Sequence, residues 1–292
     1  MNPLIPEWFV SAFAIAVVFV VMFHLGLGIR PREFLWAWRR PALMLKALFA
    51  VLVAVPLIAL GVARTLGLPP AAEVGVVLMA IAPGAPIALQ RSIGAGARRS
   101  FAPGLQVTVA LAAVVSMPLS IAVLDVLYGA TASVSPWQIM QQVTIVQLLP
   151  LTLGALTGRH LPRVAAWVTP VVDRAWKVLL VSLVAVALVG FWSMIFAAGP
   201  WVAIAAALTT AGALAVGHGL GGPEPGTRTA VAITCAARNP GLALLVAALN
   251  DAPPAVKATL LSYMVVAALT AFPYGLVRAR RGDSMHTPET DQ

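Results

Sequence analysis

Nine stretches of this chain run for about twenty residues or more with almost no charge: 6–29, 42–65, 71–97, 101–127, 137–157, 168–197, 200–220, 229–250 and 255–277. A run of that length matches a bilayer's hydrocarbon core crossed as helix, ~20 residues. In that solvent the backbone must satisfy its own hydrogen bonds. Only 10% of the residues are charged and 60% are hydrophobic, against ~25% charged in a soluble domain. The expected fold is an all-α polytopic membrane protein of nine transmembrane helices. Residues 1–277 form the transmembrane domain, in halves 1–158 and 159–277, and 278–292 form a polar cytoplasmic tail. The connections are too short for a soluble domain. Glu7, with no basic cluster before it, opens the first run, which reads as a retained helix and not a signal peptide. The single cysteine, Cys235, excludes an internal disulfide.

The net charge of +9 raises nucleic acid as a partner, and the placement of the charges argues against it. With the N-terminus outside, Arg30, Arg32, Arg39, Arg40, Arg98, Arg99, Arg159, Arg163, Arg174, Lys177, Arg228, Arg278, Arg280 and Arg281 all fall on the inner side, 14 of the 19 basic residues. Only Arg64 and Lys257 fall outside. This is the positive-inside bias of an inner-membrane protein with a periplasmic N-terminus and a cytoplasmic C-terminus. The partner implied is the lipid bilayer; oligomeric state is not encoded. Lys46 can snorkel to the inner interface. Arg91 and Arg238 remain inside spans. A charge at a helix centre costs at least ~2.5–3.5 kcal/mol on insertion scales, so such a residue faces a cavity or a partner.

Two spans are broken near mid-depth: the third at Pro83, Gly84 and Pro86, the eighth at Asn239, Pro240 and Gly241. Proline removes a backbone donor and clashes with the preceding turn. Paired Gly/Pro-interrupted helices, one in each half and running in opposite directions, point to a secondary transporter built from inverted repeats. The plainer reading is that Pro and Gly are common in membrane helices.

The stretches VMFHLGLGIRPREF (21–34), LPPAAEVGVVLMAIAPGAP (68–86) and RNPGLAL (238–244), in that order and spacing, resemble the bile acid:sodium symporter family over nearly the whole chain. The resemblance implies a nine-helix member with a panel part and a core part, in which spans three and eight cross. It implies transport of a small organic anion, coupled to sodium. At the matched positions the sodium ligands are largely replaced. The family's Pro-Gly-Gly-x-x-Ser-Asn falls on Pro83 to Leu89, so its serine and asparagine become Ala88 and Leu89. Its glutamate falls on Thr234 and its glutamine on Arg238; Asn239 is kept. A span-two glutamine falls on Val51, anchored by Pro56, and a span-four threonine on Ala110, anchored by Pro118. A hard cation wants oxygen ligands, and every carboxylate here lies near a span end, in a loop or in a tail. No metal site or other cofactor is expected, and sodium remains open.

The candidate substrate-binding residues are Arg238, Asn239, Thr234, Pro83, Gly84, Pro240, Gly241, Gln90, Arg91 and His24. Arg238 occupies a lost sodium-ligand position. It reads as a fixed positive charge, hydrogen-bonded by Asn239, Thr234 and broken-helix carbonyls, with helix N-termini at the break adding positive potential. The alternative is that it braces the crossing. Arg91 either faces the inward cavity or snorkels to headgroups. His24 either relays protons or is a buried neutral histidine bonded to a carbonyl. Enzyme motifs are absent: there is no GxSxG, no HExxH, no phosphate-binding glycine loop and no carboxylate pair. The leading reading is a sodium-independent secondary transporter of a small organic anion working by alternating access. The alternatives are a sodium- or proton-coupled symporter with another ion site, and a non-transporting membrane sensor or scaffold of the same fold.

Overall fold

The computed structural model describes residues 7–29, 35, 37–85, 87–128, 136–190 and 192–283. They form helices with no strand among them: α1 (Glu7–Leu27), α2 (Pro41–Phe49), α3 (Val55–Thr65), α4 (Pro70–Ala80), α5 (Ile87–Gly94), α6 (Ala102–Tyr128), α7 (Pro136–Val143), α8 (Leu149–His160), α9 (Pro162–Gly190), α10 (Trp192–Ala197), α11 (Pro200–Leu220), α12 (Pro225–Ala236), α13 (Pro240–Leu249) and α14 (Pro254–Asp283). Proline opens most of them because the first helical position has no use for an N–H and its φ is already helical.

Six of these stretches are long and apolar enough to cross a membrane: Pro41–Thr65, Ala102–Val126, Trp137–His160, Pro200–Leu220, Pro225–Leu249 and Pro254–Arg281; Ile15–Leu27 and Pro70–Ala80 are shorter apolar helices. The chain is a multi-pass α-helical membrane protein. The two largest departures of the observed ends from the expected ones are at the sixth and the last run. The sixth run begins at Pro162, not 168, because Pro162 starts a helix that nothing interrupts before Pro170, itself absorbed inside it. The last helix continues to Asp283, so Arg278, Arg280 and Arg281 are helical and not part of a loose tail. Arg278 is tied down there, donating from Nε to Thr229 Oγ1 at 2.8 Å and from Nη2 to the Pro225 carbonyl at 2.8 Å. Residues 284–292 and Pro86 lie outside the described residues.

Two π-helical turns, Ala50–Ala54 and Thr144–Leu148, join α2 to α3 and α7 to α8. Each ends two residues before a proline, Pro56 or Pro150, whose missing N–H and ring force the preceding ladder to widen.

Helices α1, α8 and α9 pack on one another. Their closest approach is glycine on glycine: a Cβ on Gly26 would lie 2.2 Å from the Leu151 carbonyl oxygen, and one on Gly154 2.2 Å from that of Phe23. The other helices form a second group around α11, which packs on α3, α12 and α14. Its core holds Met44, Met79, Phe101, Leu105, Met117, Leu242 and Tyr263. Both broken segments belong to it. The groups meet where α13 starts: a Cβ on Gly241 would come within 2.7 Å of Val18 Cγ2 on α1.

Candidate functional site

The first break separates α4 from α5; the second separates α12 from α13. They touch through the backbone, with Asn239 N–H donating to the Ala82 carbonyl at 2.9 Å. Gly84 has φ +82°, a left-handed conformation that glycine adopts without strain. The Ala85 carbonyl accepts from Ala88 N–H at 2.9 Å as α5 starts and also from Gln106 Nε2 on α6 at 3.0 Å. Asn239 caps α13, its Oδ1 accepting from Leu242 N–H at 3.1 Å, as asparagine does at helix starts.

Arg238 lies at this contact, 6% exposed. Its Nε donates to the Cys235 carbonyl at 2.9 Å, and its Nη1 to the carbonyls of Val51 at 3.0 Å and Ala80 at 2.8 Å. Each acceptor has lost its own donor for an identifiable reason. Val55 N–H reaches back to Ala50 in the π turn, so Val51 would look to residue 56, which is proline. At the end of α4, Ile81 donates to Val77 and Ala82 to Met79; the next donor in that tightening turn would be Pro83. Asn239 N–H, four residues beyond Cys235, is spent on Ala82 across the break. Three carbonyls, from the π turn after α2, from α4 and from α12, therefore converge on one guanidinium. A buried carbonyl left without a partner costs ~1–3 kcal/mol.

This corrects two expectations about Arg238. Its acceptors are carbonyls alone, not the side chains of Thr234 or Asn239: α12 ends at Ala236, and Ala237 is extended at φ −81°, ψ 96°, so Arg238 has left the helical register of Thr234. The guanidinium also meets the C-terminal ends of α4 and α12, where carbonyls and the helix dipole favour a cation. Arg238 Nη2 and Asn239 Nδ2 are buried without a hydrogen-bond partner among the described residues.

A cavity of ≈ 660 Å³ opens beside the crossing. At the crossing it is lined by Met79, Ala85, Arg238, Asn239, Pro240, Gly241 and Tyr263. It follows α14 from Tyr263 to Ala279, roughly 24 Å of helix at 1.5 Å per residue. Val17, Val18 and Val21 of α1 and Trp176 of α9 close it from the other helix group. It thus extends from the crossing toward the end of the molecule that carries Arg98, Arg228 and Arg278. No carboxylate lines it among the described residues. Beyond the crossing, toward the other end, Gln138, Gln141, Gln142, Ile145, Leu249, Asn250 and Asp251 enclose a more polar hollow of ≈ 420 Å³.

The remaining candidates divide. Arg91 lines the cavity; Gln90, next to it, is exposed and does not. Pro83, Gly84 and Thr234 are buried at the crossing but off the cavity wall, as are Ala88 and Ala110. His24 is also off the wall. Its Nε2 lies 3.6 Å from Asp173 Oδ1 and its ring 5.9 Å from that of Trp176. It is not bonded to a carbonyl as expected: Nδ1 is buried without a partner among the described residues. Sequence reasoning missed Tyr263 and the whole α14 wall, and the carbonyl-binding glutamines Gln106 and Gln147. Intramembrane glutamines, and one of only 3 tyrosines set within an apolar run, were the available signals.

Comparison with known proteins gives one finding. The family model described as Sodium Bile acid symporter family matches residues 15–215 of the 292. The match includes the first break and ends before the second. A search of curated proteins gave no match.

Proposed function

The chain belongs to the sodium bile acid symporter family, a family of membrane transporters, and on that premise we propose that it carries a small organic anion across the inner membrane by alternating access without sodium. In this reading nine spans form two inverted repeats. The ≈ 660 Å³ cavity is the cytoplasmic approach to the crossing, and the ≈ 420 Å³ hollow lies on the periplasmic approach. The bonded breaks between them are the barrier.

The observation that carries the sodium-free reading is the guanidinium of Arg238 held by the carbonyls of Val51, Ala80 and Cys235. Unwound carbonyls and half-helix C-terminal ends are the groups that hold a coupling cation in transporters of this architecture. Arg238 meets them with a charge tethered to the chain. The side-chain oxygens a sodium ion would need are missing at Ala88, Leu89 and Ala110. Sodium therefore does not fit as co-substrate. The tethered charge lets the same helix ends stay together through the cycle, leaving the anion as the only cargo.

Two measurements test this. Anion uptake into proteoliposomes is expected to proceed equally in sodium and in choline; a tenfold tightening of anion affinity by sodium, about 1.4 kcal/mol of coupling, overturns it. Arg238→Ala leaves three orphaned carbonyls around a hole. The variant is expected to melt lower than wild type in choline and to regain melting temperature when sodium replaces choline, while wild type responds to neither. A variant that sodium leaves unchanged removes the cation-substitute role.

A further inference from the structure

Arg238 spends Nε and Nη1 on three carbonyls and is buried, with Nη2 alone left without a partner among the described residues. The other cation on the cavity wall is not buried. Arg91 sits on α5, roughly 6 Å of helix from Ile87 at the break. It lines the cavity, is exposed, and has no hydrogen bond or ion pair among the described residues. The wall that α9 and α14 contribute to the same cavity is apolar beyond Tyr263: Trp176, Ala268, Ala271, Phe272 and Leu276. A guanidinium in such a wall, with no carboxylate on the lining, is left for an anion from outside the protein. The volume is within the ~300–1,000 Å³ of small-molecule pockets.

Resting on the transport reading above, we propose that Arg91 is the residue that pairs with the ligand's charge. The ligand is an amphipathic monoanion lying along α14, its oxyanion on Arg91 and its apolar body directed to the crossing at Ala85 and Tyr263. Arg238 then sets the frame of the crossing and Arg91 sets charge selectivity. The head lies toward the basic end of the molecule and the apolar body meets the bonded breaks, so opening the crossing exposes the body first. An oxyanion on Arg91 has two sources, a free ligand or a phospholipid headgroup from the adjoining leaflet, and the experiment separates them.

The full-length protein is placed in nanodiscs of phosphatidylcholine in choline chloride. Affinities are measured for straight-chain alkanoates from butyrate to dodecanoate and for decanamide as the uncharged comparison. Affinity is expected to tighten about three- to fourfold per added methylene until the cavity is filled. Arg91→Gln is expected to weaken decanoate at least tenfold, to the level of decanamide. Arg91→Lys should retain most of the affinity. Decanoate affinity unchanged by Arg91→Gln, or independence of chain length in wild type, overturns the proposal. So does a phosphatidylglycerol-dependent rise in melting temperature that Arg91→Gln abolishes, with no alkanoate affinity, because it assigns the oxyanion to lipid. Alkanoate binding that follows the expected pattern without flux in proteoliposomes leaves this inference standing and removes the transport reading instead. Flux of another anion unaffected by Arg91→Gln does the reverse.

Discussion

Arg238 and Asn239 are neighbours with separate tasks. The arginine closes two helix ends and a π turn; the asparagine starts a helix and bonds the opposite break through its own N–H. Asn239→Ala keeps the backbone bond to Ala82 and loses the cap, which is expected to lower stability by ~1 kcal/mol. Asn239→Ser restores an acceptor and should recover most of the loss in melting temperature. A larger change for Asn239→Ala, with no recovery in serine, would place its main role elsewhere. Gly84 holds φ +82°; a side chain there adds ~1–2 kcal/mol of left-handed strain. A Cβ on it meets Val109 Cγ1 at an ordinary 3.7 Å. Gly84→Ala is therefore expected to lower the melting temperature through backbone strain alone, and a neutral effect would remove that account.

The break in each crossing helix is held by bonds to other elements, so helix ends and π turns act as coupled parts. The π turn Ala50–Ala54 leaves Val51 for Arg238 because Pro56 has no N–H. Pro56→Ala restores a local donor, and the penalty of Arg238→Ala should shrink by ~1 kcal/mol in that background. A double-mutant cycle on thermal stability reads this directly; strict additivity would mean that Val51 is no part of the guanidinium's load. Between α1 and α8 the contact depends on absent side chains. With the Phe23 carbonyl 2.2 Å from where a Cβ on Gly154 would lie, Gly154→Ala must push the helices apart, an overpacking cost of ~1–3 kcal/mol. The proline punctuation that starts these helices was legible from the chain. The continuation of α9 back to Pro162 and of α14 on to Asp283 was not, because apolarity marks where a helix meets lipid and not where its hydrogen bonding stops.

At the scale of the whole molecule, charge sorts the two ends. Glu224, in the connection before α12, is bridged by Arg40 and by Arg98, tying the starts of α2 and α12 to the end of the first crossing helix. The Arg40 hydrogen bond, followed by that of Arg98, holds its carboxyl below the ordinary carboxylate range. A carboxylate with a folded pKa below its unfolded one stabilises at pH above the unfolded value and loses that contribution as pH falls through the folded one. Melting temperatures of wild type and Glu224→Gln are thus expected to differ near neutrality and to converge below about pH 4; parallel curves across that range would show that the tie contributes nothing. The same sorting predicts that a reporter fused after Gln292 is cytoplasmic, since 14 of 19 basic residues share that side, and a periplasmic signal would invert the proposed roles of the two hollows.

The sequence by itself determined the class of fold, because apolar runs of bilayer length leave helix as the available backbone solution. It also marked both breaks, because proline and glycine act on the local chain whatever surrounds them. It further identified Arg238 as a charge that must be answered. Only the tertiary structure decided how. The carbonyls of Val51, Ala80 and Cys235 belong to three separate stretches of the chain, and a backbone oxygen carries no signature in the identity of its residue: a valine that supplies no side-chain ligand still supplies an acceptor. The cavity wall of α14 was illegible for the same reason, since an apolar residue facing a hollow and one facing lipid are written alike. Arg91 was the converse case, visible as a charge in the chain but given its place on the cavity wall by the turn of α5 after the break.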